Sequence, residues 1–378
     1  MGKERSAPQA LRKESRNNNF AFIRITAACA VFMGHMGVVL GVDSPYVAGI
    51  AMHELGVVML FLMGGYLITK SWLADPHPLR YGVRRFFRLW PPLAVFVFLM
   101  VFVAGPLLST RGAWNYFHRS SFDLYLKNLV FRPVYSQPGV FEALPEACST
   151  NGSLWTMPVE AALYVLTPLI LTALRVRQDS GRSFYRTAAL AGCAAAFDLY
   201  LRTCHPHASV VVYGTNLVSA FHLAAAYLVG VLFTYEEVKK YLNLQAAGAA
   251  LCAMFLLQAS GPFFRYLGMY LFLPYILFSF AFAPDPVFCG IDRHMDLSYG
   301  IYLYGFFFQQ LVLSFLHRYE LDMSYMQVLA LSAAPTIIAA MLSYYLVERP
   351  MIRLGRRLVK RLGRGEEAAQ NQDTGGKS

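Results

Sequence analysis

Apolar runs of about 20 residues recur along the whole chain, and this recurrence restricts the possible folds more than any other feature of the sequence. A helix of about 20 residues spans the ~30 Å hydrocarbon core of a membrane. Charged residues form only 15% of the 378 residues, well below the share of about 25% in soluble domains. Because backbone groups in lipid must be hydrogen-bonded within the protein, the runs predict an all-α, polytopic integral membrane helical bundle.

The positions of these runs predict about ten transmembrane helices. We expect them near residues 20–40, 50–70, 86–108, 153–174, 187–205, 214–234, 244–260, 263–283, 297–316 and 326–347. With both ends of the chain on one side, most of the 33 basic residues fall on that side. Lys and Arg mark cytosolic loops, so both termini are predicted to be cytosolic, in a bacterial cytoplasmic (inner) membrane. The net charge of +11 is therefore an orientation signal and does not indicate a nucleic-acid surface.

The sequence predicts one large domain between two tails. Residues 1–19 are polar and basic, and residues 359–378 carry little apolar surface, so both are predicted to be disordered cytosolic tails. Residues 20–358 would form the transmembrane domain. Its one long non-membrane stretch, at about 109–152, is predicted on the outer face, and its many aromatic residues favour a folded cap or an interfacial helix over a flexible linker.

The first apolar run contains two residues that are costly in a membrane, Arg24 and His35. A cation at the centre of a bilayer costs roughly 2.5 to 3.5 kcal/mol on insertion scales, so such residues indicate a functional site. Their separation is about three whole helical turns, which puts both side chains on one helix face, roughly 16 Å apart. The alternatives are a His that only bonds a neighbouring helix and an Arg that only reaches the interface at the helix end.

Six segments of the chain, taken together, resemble one protein family. They are Arg24-x10-His35, Leu60–Thr69 (LFLMGGYLIT), Arg84–Pro92 (RRFFRLWPP), Ser153–Glu160 (SLWTMPVE), Leu297–Tyr304 (LSYGIYLY) and Val347–Pro350 (VERP). In this order they resemble the membrane acyltransferase-3 family, whose members are integral membrane O-acyltransferases of surface glycans. The family often has Ser-Gly-Phe where this chain has Gly64-Gly65-Tyr66, and often has a second acid where this chain has Ala161.

The resemblance implies that the protein transfers an acyl group, and we expect the following reaction. An acyl group, with acetyl favoured, would pass from cytosolic acyl-CoA to a hydroxyl of an extracytoplasmic or lipid-linked carbohydrate. Acyl-CoA would be a donor substrate, and no tightly bound cofactor is expected. The resemblance also assigns Arg24 and His35 to catalysis as a unit.

The chemistry of acyl transfer suggests a role for each catalytic candidate. Transfer from a thioester to a hydroxyl needs a base and a group that stabilises the oxyanion. His35 is the natural base, since a neutral imidazole accepts a proton at neutral pH. Arg24 could bind the phosphates of CoA, because a guanidinium binds phosphate oxygens through two parallel hydrogen bonds. Glu160 is expected to orient the His35 ring, although pairing with an Arg or contact with the acceptor hydroxyls would also satisfy a buried carboxylate.

Arg84, Arg85 and Arg88 are predicted, together with Arg24, to bind the donor. All three precede the Trp90-Pro91-Pro92 break on the predicted cytosolic side, where ordinary flanking charge also explains a basic cluster. The i, i+3 spacing places Arg85 and Arg88 on one helix face. The nucleotide phosphates would meet some of these arginines, and the pantetheine arm would enter the bundle.

Two other classes of function remain open from the sequence. A glycolipid or polysaccharide flippase or transporter would also carry intramembrane charges, although no internal repeat is evident. A membrane scaffold would have no reason to place Arg24 in a helix. The expected partners are acyl-CoA, a surface polysaccharide or lipid-linked glycan as acceptor, and membrane lipid, with no nucleic acid.

Several smaller features complete the set of candidates. His53 and Glu54, adjacent at the outer end of the second helix, form another candidate acid and base, ranked below Glu160. The six cysteines show no metal-binding spacing. Cys148 and Cys204 both fall on the predicted outer side, where an oxidising periplasm would permit a disulfide.

Overall fold

The computed structural model describes residues 18–146, 149–176, 180–284 and 295–375 of the chain. Of these described residues 77% are helical and few are in strands, so the all-α prediction is confirmed. The α-helices, in chain order, are α1 (Phe20–Leu40), α2 (Met52–Ala74), α3 (Pro78–Leu99), α4 (Gly105–Leu108), α5 (Gly112–His118), α6 (Thr156–Ala173), α7 (Gly181–Cys204), α8 (Leu217–Leu232), α9 (Glu236–Lys239), α10 (Leu244–Leu257), α11 (Pro262–Ala281), α12 (Ser298–Arg318), α13 (Tyr325–Ser343) and α14 (Arg349–Gly375).

Short elements join these helices. The strands are β1 (Tyr46–Val47), which pairs antiparallel with β2 (Ile50–Ala51), and β3 (Val211–Val212), which pairs antiparallel with β4 (Thr215–Asn216). Each hairpin turns through two residues with positive φ, the second of which is Gly49 or Gly214, as a type I′ turn requires. The π-helical turns are Met100–Ala104 and Tyr344–Glu348, and the 3₁₀ turns are Phe122–Val130, Gly152–Trp155 and Gln258–Ser260.

Seven helices in the described part of the chain are long and apolar enough to cross a membrane. They are Phe20–Leu40, Met52–Ala74, Pro78–Leu108, Gly152–Ala173, Pro262–Ala281, Ser298–Arg318 and Tyr325–Gly363. Two further apolar helices, Leu217–Leu232 and Leu244–Ser260, are shorter, and α7 occupies another predicted span. These helices agree with the predicted helical membrane bundle, while the count of ten crossings and the cytosolic position of both termini stay predictions.

The predicted tails fall at the limits of the described chain. Residues 1–17 lie outside it, and α14 continues to Gly375, beyond the predicted domain end at residue 358. The division into tails of residues 1–19 and 359–378 around one domain of residues 20–358 therefore stays a prediction.

The direction of α1 distinguishes the two ends of the bundle. The basal end is the end at which α1 begins and α2 finishes, and the apical end lies opposite; the sequence predicts that the basal end faces the cytosol. Glycine lets α2 and α8 approach closely. A Cβ on Gly65 would lie 2.0 Å from the carbonyl oxygen of Tyr227, and a Cβ on Gly230 would lie 2.0 Å from that of Leu62. Contacts of this kind are typical of helix packing in membranes.

The chain enters the bundle from the apical end before α6 begins. The side-chain amide of Gln310 on α12 donates to the carbonyl of Ser149, and the amide of Asn151 donates to the carbonyl of Leu303, two turns further down α12. Irregular backbone at membrane depth has to be hydrogen-bonded inside the protein, and these amides supply part of that bonding. The descending chain brings Ser153 and the start of α6 into the interior.

Candidate active site

A cavity of about 180 Å³ lies in the basal half of the bundle, walled by α1, α2, α3, α6, α8 and α12. We call it the central cavity. A cavity of about 150 Å³ holds a molecule the size of benzene, so this one suits a thioester and a small acyl group but not a nucleotide. Its charged lining residues are Arg24, Arg85, Arg88 and Glu160. Three of the four predicted donor-binding arginines therefore meet Glu160 at one cavity.

Asp296 holds two of these arginines together. It lies just before α12, and the Nη2 atoms of Arg24 and Arg88 each lie 3.1 Å from its Oδ2. Its Oδ1 accepts hydrogen bonds from the backbone N–H of Ser298 (3.2 Å) and from the hydroxyl of the same residue (2.6 Å). Burial alone would raise the pKa of Asp296, but the charges of Arg24 and Arg88 outweigh burial and hold that pKa well below its usual value.

Sequence reasoning missed Asp296. A usable signal was present, because this carboxylate directly precedes the Leu297–Tyr304 motif at a predicted helix start, where Asp commonly accepts hydrogen bonds from the first free N–H groups. Its long-range pairing with Arg24 and Arg88 could not be inferred from the sequence, since more than 200 residues separate Asp296 from either partner.

The other two predicted arginines of α3 have different surroundings. The Nη1 atom of Arg84 lies 2.6 Å from the carboxylate of Asp75, and Arg84 does not line the central cavity. The guanidinium of Arg85 lies over the rings of Tyr81 and Tyr164, 5.6 Å from each ring centroid. Arg85 therefore lines the central cavity like Arg24 and Arg88, but its guanidinium contacts aromatic rings.

His35 is buried in the apical half of α1. Its Nδ1 lies 3.4 Å from the hydroxyl oxygen of Ser153, which the descending chain brings into the bundle. The ring of His53 stacks on the His35 ring with 5.4 Å between centroids, and Phe306 packs edge-on at the same distance. Contacts with a hydroxyl, a second imidazole and an aromatic edge define one orientation of the His35 ring.

Glu160 is not the residue that contacts the His35 ring. Its carboxylate accepts a hydrogen bond from the hydroxyl of Tyr164, one turn further along α6, and faces the central cavity. The expectation that Glu160 orients His35 is therefore not supported by the geometry, which gives that contact to Ser153. Glu160 lies too far along the chain to reach His35, because the seven residues from Ser153 to Glu160 place its carboxylate about two helical turns closer to the basal end.

A series of hydrogen bonds leads from the wall of the central cavity to His35. Tyr302 and Thr156 line the cavity, and their hydroxyl oxygens lie 2.6 Å apart. The Tyr302 hydroxyl donates to the carbonyl of Ser153 (3.1 Å), whose own hydroxyl contacts His35. Arg24 at the cavity and His35 beyond it therefore mark the two ends of one polar route, which we call the Arg24–His35 route.

A second ionic cluster lies between α2, α7, α8 and α11, and we call it the apical cluster. It consists of Glu54, Asp198, Arg202, His222 and Tyr270. Arg202 donates to Asp198 (3.2 Å) and to Glu54 (2.8 Å). The same Asp198 oxygen accepts from Tyr270 (2.8 Å) and lies 2.7 Å from Nδ1 of His222. These contacts tie four helices together at their apical ends.

The adjacent candidates His53 and Glu54 belong to different sites. The His53 ring stacks on His35, whereas the Glu54 carboxylate joins the apical cluster through Arg202. Successive residues of a helix point in different directions, which explains why two neighbours in the sequence contact different groups.

Glu348 is a further buried carboxylate that sequence reasoning did not assign. It belongs to the Val347–Pro350 motif, is only 1% exposed, and ends the π-helical turn Tyr344–Glu348. The hydroxyl of Ser343 donates to its Oε1 (3.3 Å), and its Oε2 has no hydrogen-bond partner among the described residues. The motif was recognised, but the burial of its acid depends on how α14 packs against α3.

Two other predictions concern metals and disulfides. Among the described residues, no group of three or more His, Cys, Asp or Glu side chains is placed to hold a metal ion. Cys148 lies outside the described residues, so its predicted disulfide with Cys204 stays a prediction.

Comparisons with known proteins identify the family. Residues 17–345 match the model of the acyltransferase-3 family, described as an acyltransferase domain, and the chain therefore belongs to that family. An O-acetyl transferase of Shigella phage Sf6 is 27% identical over 344 residues, covering 88% of this chain and 96% of that protein. Nodulation protein 10 of Rhizobium leguminosarum bv. viciae is 24% identical over 372 residues, covering 94% of this chain and 98% of that protein. No solved structure matches the chain significantly. The resemblance inferred from the six motifs is confirmed.

Proposed function

We propose that this membrane acyltransferase moves an acyl group, with acetyl favoured, from acyl-CoA to a hydroxyl group of a carbohydrate. The observation that carries the proposal is the Arg24–His35 route, which joins the central cavity to a buried imidazole. A thioester in the cavity and a hydroxyl beside His35 would approach each other from opposite ends of α1. The name of the phage relative, an O-acetyl transferase, supports acetyl as the group transferred.

His35 is the proposed general base. Its neutral imidazole takes the proton of the acceptor hydroxyl while the hydroxyl oxygen attacks the carbonyl carbon of the thioester. The tetrahedral intermediate then expels the thiolate of CoA, which takes up the proton from His35, so the products are an ester and a free thiol. Thr156 and Tyr302 hold their hydroxyl groups at the cavity wall, where both donate to the carbonyl of Ser153. When the tetrahedral intermediate forms, one of these hydroxyls would turn its proton from that carbonyl to the oxyanion, away from bulk water.

The arginines differ in the roles that we propose for them. Arg24 and Arg88 both contact Asp296 and both line the central cavity, so their guanidinium groups lie where the thiolate of CoA would form. Arg85 adds a third guanidinium to the same wall. Arg84 is paired with Asp75, and we assign it a structural role at the basal end.

The donor would enter at the basal end and the acceptor at the apical end. This follows from the predicted orientation in a bacterial cytoplasmic membrane, where acyl-CoA is cytosolic and a surface polysaccharide or lipid-linked glycan is extracytoplasmic. The aromatic-rich segment at the apical end supports a carbohydrate acceptor. Its Trp114 is 71% exposed, and flat aromatic faces suit stacking on sugar rings.

Ester analysis of cellular glycans tests the proposal. Cells with and without the gene are compared for acetyl esters on surface polysaccharide and lipid-linked glycans, and purified protein in vesicles is supplied with labelled acetyl-CoA and the same glycans. We expect loss of one ester in the deletion strain, its return with the wild-type gene, and no return with Arg24→Ala. Unchanged esters together with impaired export of the glycan would favour a flippase instead.

A further inference from the structure

A second cavity, of about 580 Å³, lies at the basal end, between the ends of α2 and α6 and the start of α7. We call it the basal cavity. Arg175, Arg182 and Arg186 line it, and none of the three forms an ion pair with a carboxylate in the part of the chain that the structure describes. By contrast, Arg80 and Arg84 at the same end of the bundle both pair with Asp75. The basal cavity therefore presents positive charge that is not neutralised by a neighbouring described side chain.

The basal and central cavities follow one another along the same two helices. On α2, Gly64 lines the central cavity and Trp72 lines the basal cavity, about 12 Å further along the axis. On α6, Glu160 lines the central cavity and Leu171 lines the basal cavity, about 16 Å further along. The order from the basal surface inward is thus a wide basic cavity and then a narrow one.

Few side chains separate the two cavities. The ring of Tyr81 packs edge-on against Trp72 of the basal cavity, and its hydroxyl donates to the carbonyl of Tyr164 in the central cavity (3.0 Å). Arg85, which lines the central cavity, donates to the hydroxyl of Ser71, the residue before Trp72 (2.9 Å). The side chain of Arg85 therefore lies at the junction between the two spaces.

We propose that the basal cavity binds the nucleotide phosphates of acyl-CoA, with Arg175, Arg182 and Arg186 as their ligands, while the pantetheine arm passes Arg85 into the central cavity. The inference rests on the proposed function, in which acyl-CoA is the donor. Acyl-CoA carries a pyrophosphate and a sugar phosphate at one end and the thioester at the other, joined by a long thin arm. Such a molecule needs a wide basic site and a narrow reaction site that are separated by the length of the arm. Guanidinium groups suit the first site because they bind phosphate oxygens through paired hydrogen bonds.

The sequence predicted that the nucleotide phosphates meet some of Arg84, Arg85 and Arg88, and the ion pairs of two of these arginines favour a different site. Arg84 is bound to Asp75 and Arg88 to Asp296, so a phosphate at either arginine would compete with a carboxylate already in place. The arginines of the basal cavity face no such competitor among the described residues. Arg85 would then bind along the arm and not at the nucleotide.

Calorimetric titration tests the proposal on the full-length protein in nanodiscs of neutral lipid. Acetyl-CoA and dephospho-CoA, which lacks the sugar phosphate, are titrated into the wild type and into Arg175→Gln/Arg182→Gln/Arg186→Gln. The matched control is Arg356→Gln/Arg357→Gln/Lys360→Gln, which removes three exposed charges from α14 that line neither cavity. We expect the Kd for acetyl-CoA to rise about tenfold or more in the triple variant and to stay within about twofold in the control. The preference for acetyl-CoA over dephospho-CoA should also shrink.

The outcomes separate this inference from the proposed function. Wild-type affinity in the triple variant, or an equal loss in the control, would overturn the basal site while leaving acyl transfer intact. If the triple variant lost binding to vesicles that contain anionic lipid but still bound acetyl-CoA normally, the basal cavity would be a lipid headgroup site. That result would also overturn the proposed phosphate site. Absence of any acetyl-CoA binding by the wild type would instead remove the donor from the proposed function. Retention of part of the affinity by Arg175→Lys/Arg182→Lys/Arg186→Lys would support phosphate binding through positive charge.

Discussion

The central cavity and the apical cluster both contain buried charged residues on membrane helices, yet they differ in whether those charges line open space. In the apical cluster, Arg202 meets two carboxylates, Glu54 and Asp198, between four packed helices. At the central cavity Arg24 and Arg88 contact Asp296 and also line open space. Buried charge in a membrane protein therefore does not by itself mark an active site. Charged side chains that line a cavity are the stronger indication, because a substrate can reach them.

The apical cluster is joined to the His35 end of the Arg24–His35 route through the first turn of α2. His53 stacks on His35, and the next residue, Glu54, belongs to the apical cluster. Variants in the cluster could therefore affect catalysis by moving α2 as well as by loosening the bundle. Experiments that measure stability and transfer separately distinguish these effects.

The largest effect is expected for His35→Ala. Removal of the proposed base should lower kcat for acetyl transfer by about 10²- to 10⁴-fold, with acetyl-CoA binding unchanged, because the imidazole meets the acceptor and not the nucleotide. The measurement is transfer of labelled acetyl by purified protein at saturating donor. His317→Ala is the matched control, since that imidazole is exposed near the apical end of α12. Near-normal transfer by His35→Ala would remove the Arg24–His35 route from the mechanism.

Arg202→Met should act on stability and not on the chemical step. Loss of the guanidinium leaves Glu54 and Asp198 without their cation in a buried site, and breaking a buried pair typically costs about 3 to 5 kcal/mol. We expect a lower yield of folded protein and a lower unfolding temperature, with kcat per folded molecule close to wild type. Arg318→Met, at an exposed helix end, should change neither quantity. A stable Arg202→Met protein without transfer activity would place the apical cluster in the active site.

The sequence predicted the membrane helices and the Arg24–His35 pair because both depend on local properties. Apolar runs and helical spacing are visible within 20 residues, and the chain forms one helix from Phe20 to Leu40, as the spacing required. Partners from distant segments were not predictable. Asp296 and Ser153 reach Arg24 and His35 only after the chain folds, and Ser153 does so through irregular backbone that has no periodic signal.

Glu160 shows that a motif can place a side chain without identifying its partner. The motif placed the carboxylate in the bundle and at the central cavity, but its partner is Tyr164 and not His35. The charge of a buried acid predicts that it has a partner without identifying which one. The hydroxyl that contacts the His35 ring belongs to Ser153, at the start of the same motif.

Ser153→Ala should have a moderate effect and tests the link to His35 directly. Loss of one neutral hydrogen bond is worth about 0.5 to 1.5 kcal/mol, so we expect kcat to fall roughly 2- to 12-fold with little change in the KM for acetyl-CoA. Ser332→Ala, which removes a buried hydroxyl bonded within α13, is the control for general loss of packing. An equal fall in kcat for both variants would show that Ser153 supports the fold and does not position His35.

The smallest effect is expected at Asp75, an ionic site at the basal end that is more exposed than either buried cluster. The hydrogen bond from Arg80 lowers the pKa of Asp75, burial opposes it, and Arg84 adds to the lowering, so the pKa falls from the ordinary value of 3.8 to about 2. Because the folded pKa lies below the unfolded one, the charged carboxylate stabilises the protein above about pH 4. That stabilisation disappears as the pH falls toward 2.

Asp75→Asn should therefore lower the unfolding temperature slightly at pH 7, by an amount that corresponds to at most about 1 kcal/mol for a partly exposed pair. The difference between wild type and variant should shrink as the pH is lowered from 4 to 2, because the unfolded carboxylate binds a proton near pH 4 and the folded carboxylate does so only near pH 2. Transfer activity should persist, since Asp75 lines neither cavity. Asp322→Asn, a change at an exposed carboxylate before α13, controls for loss of one surface charge. A difference in unfolding temperature that stays constant with pH would mean that Asp75 acts through its shape or its backbone contacts. The effects of variants at the central cavity, the apical cluster and Asp75 would then differ because of packing and not because of charge.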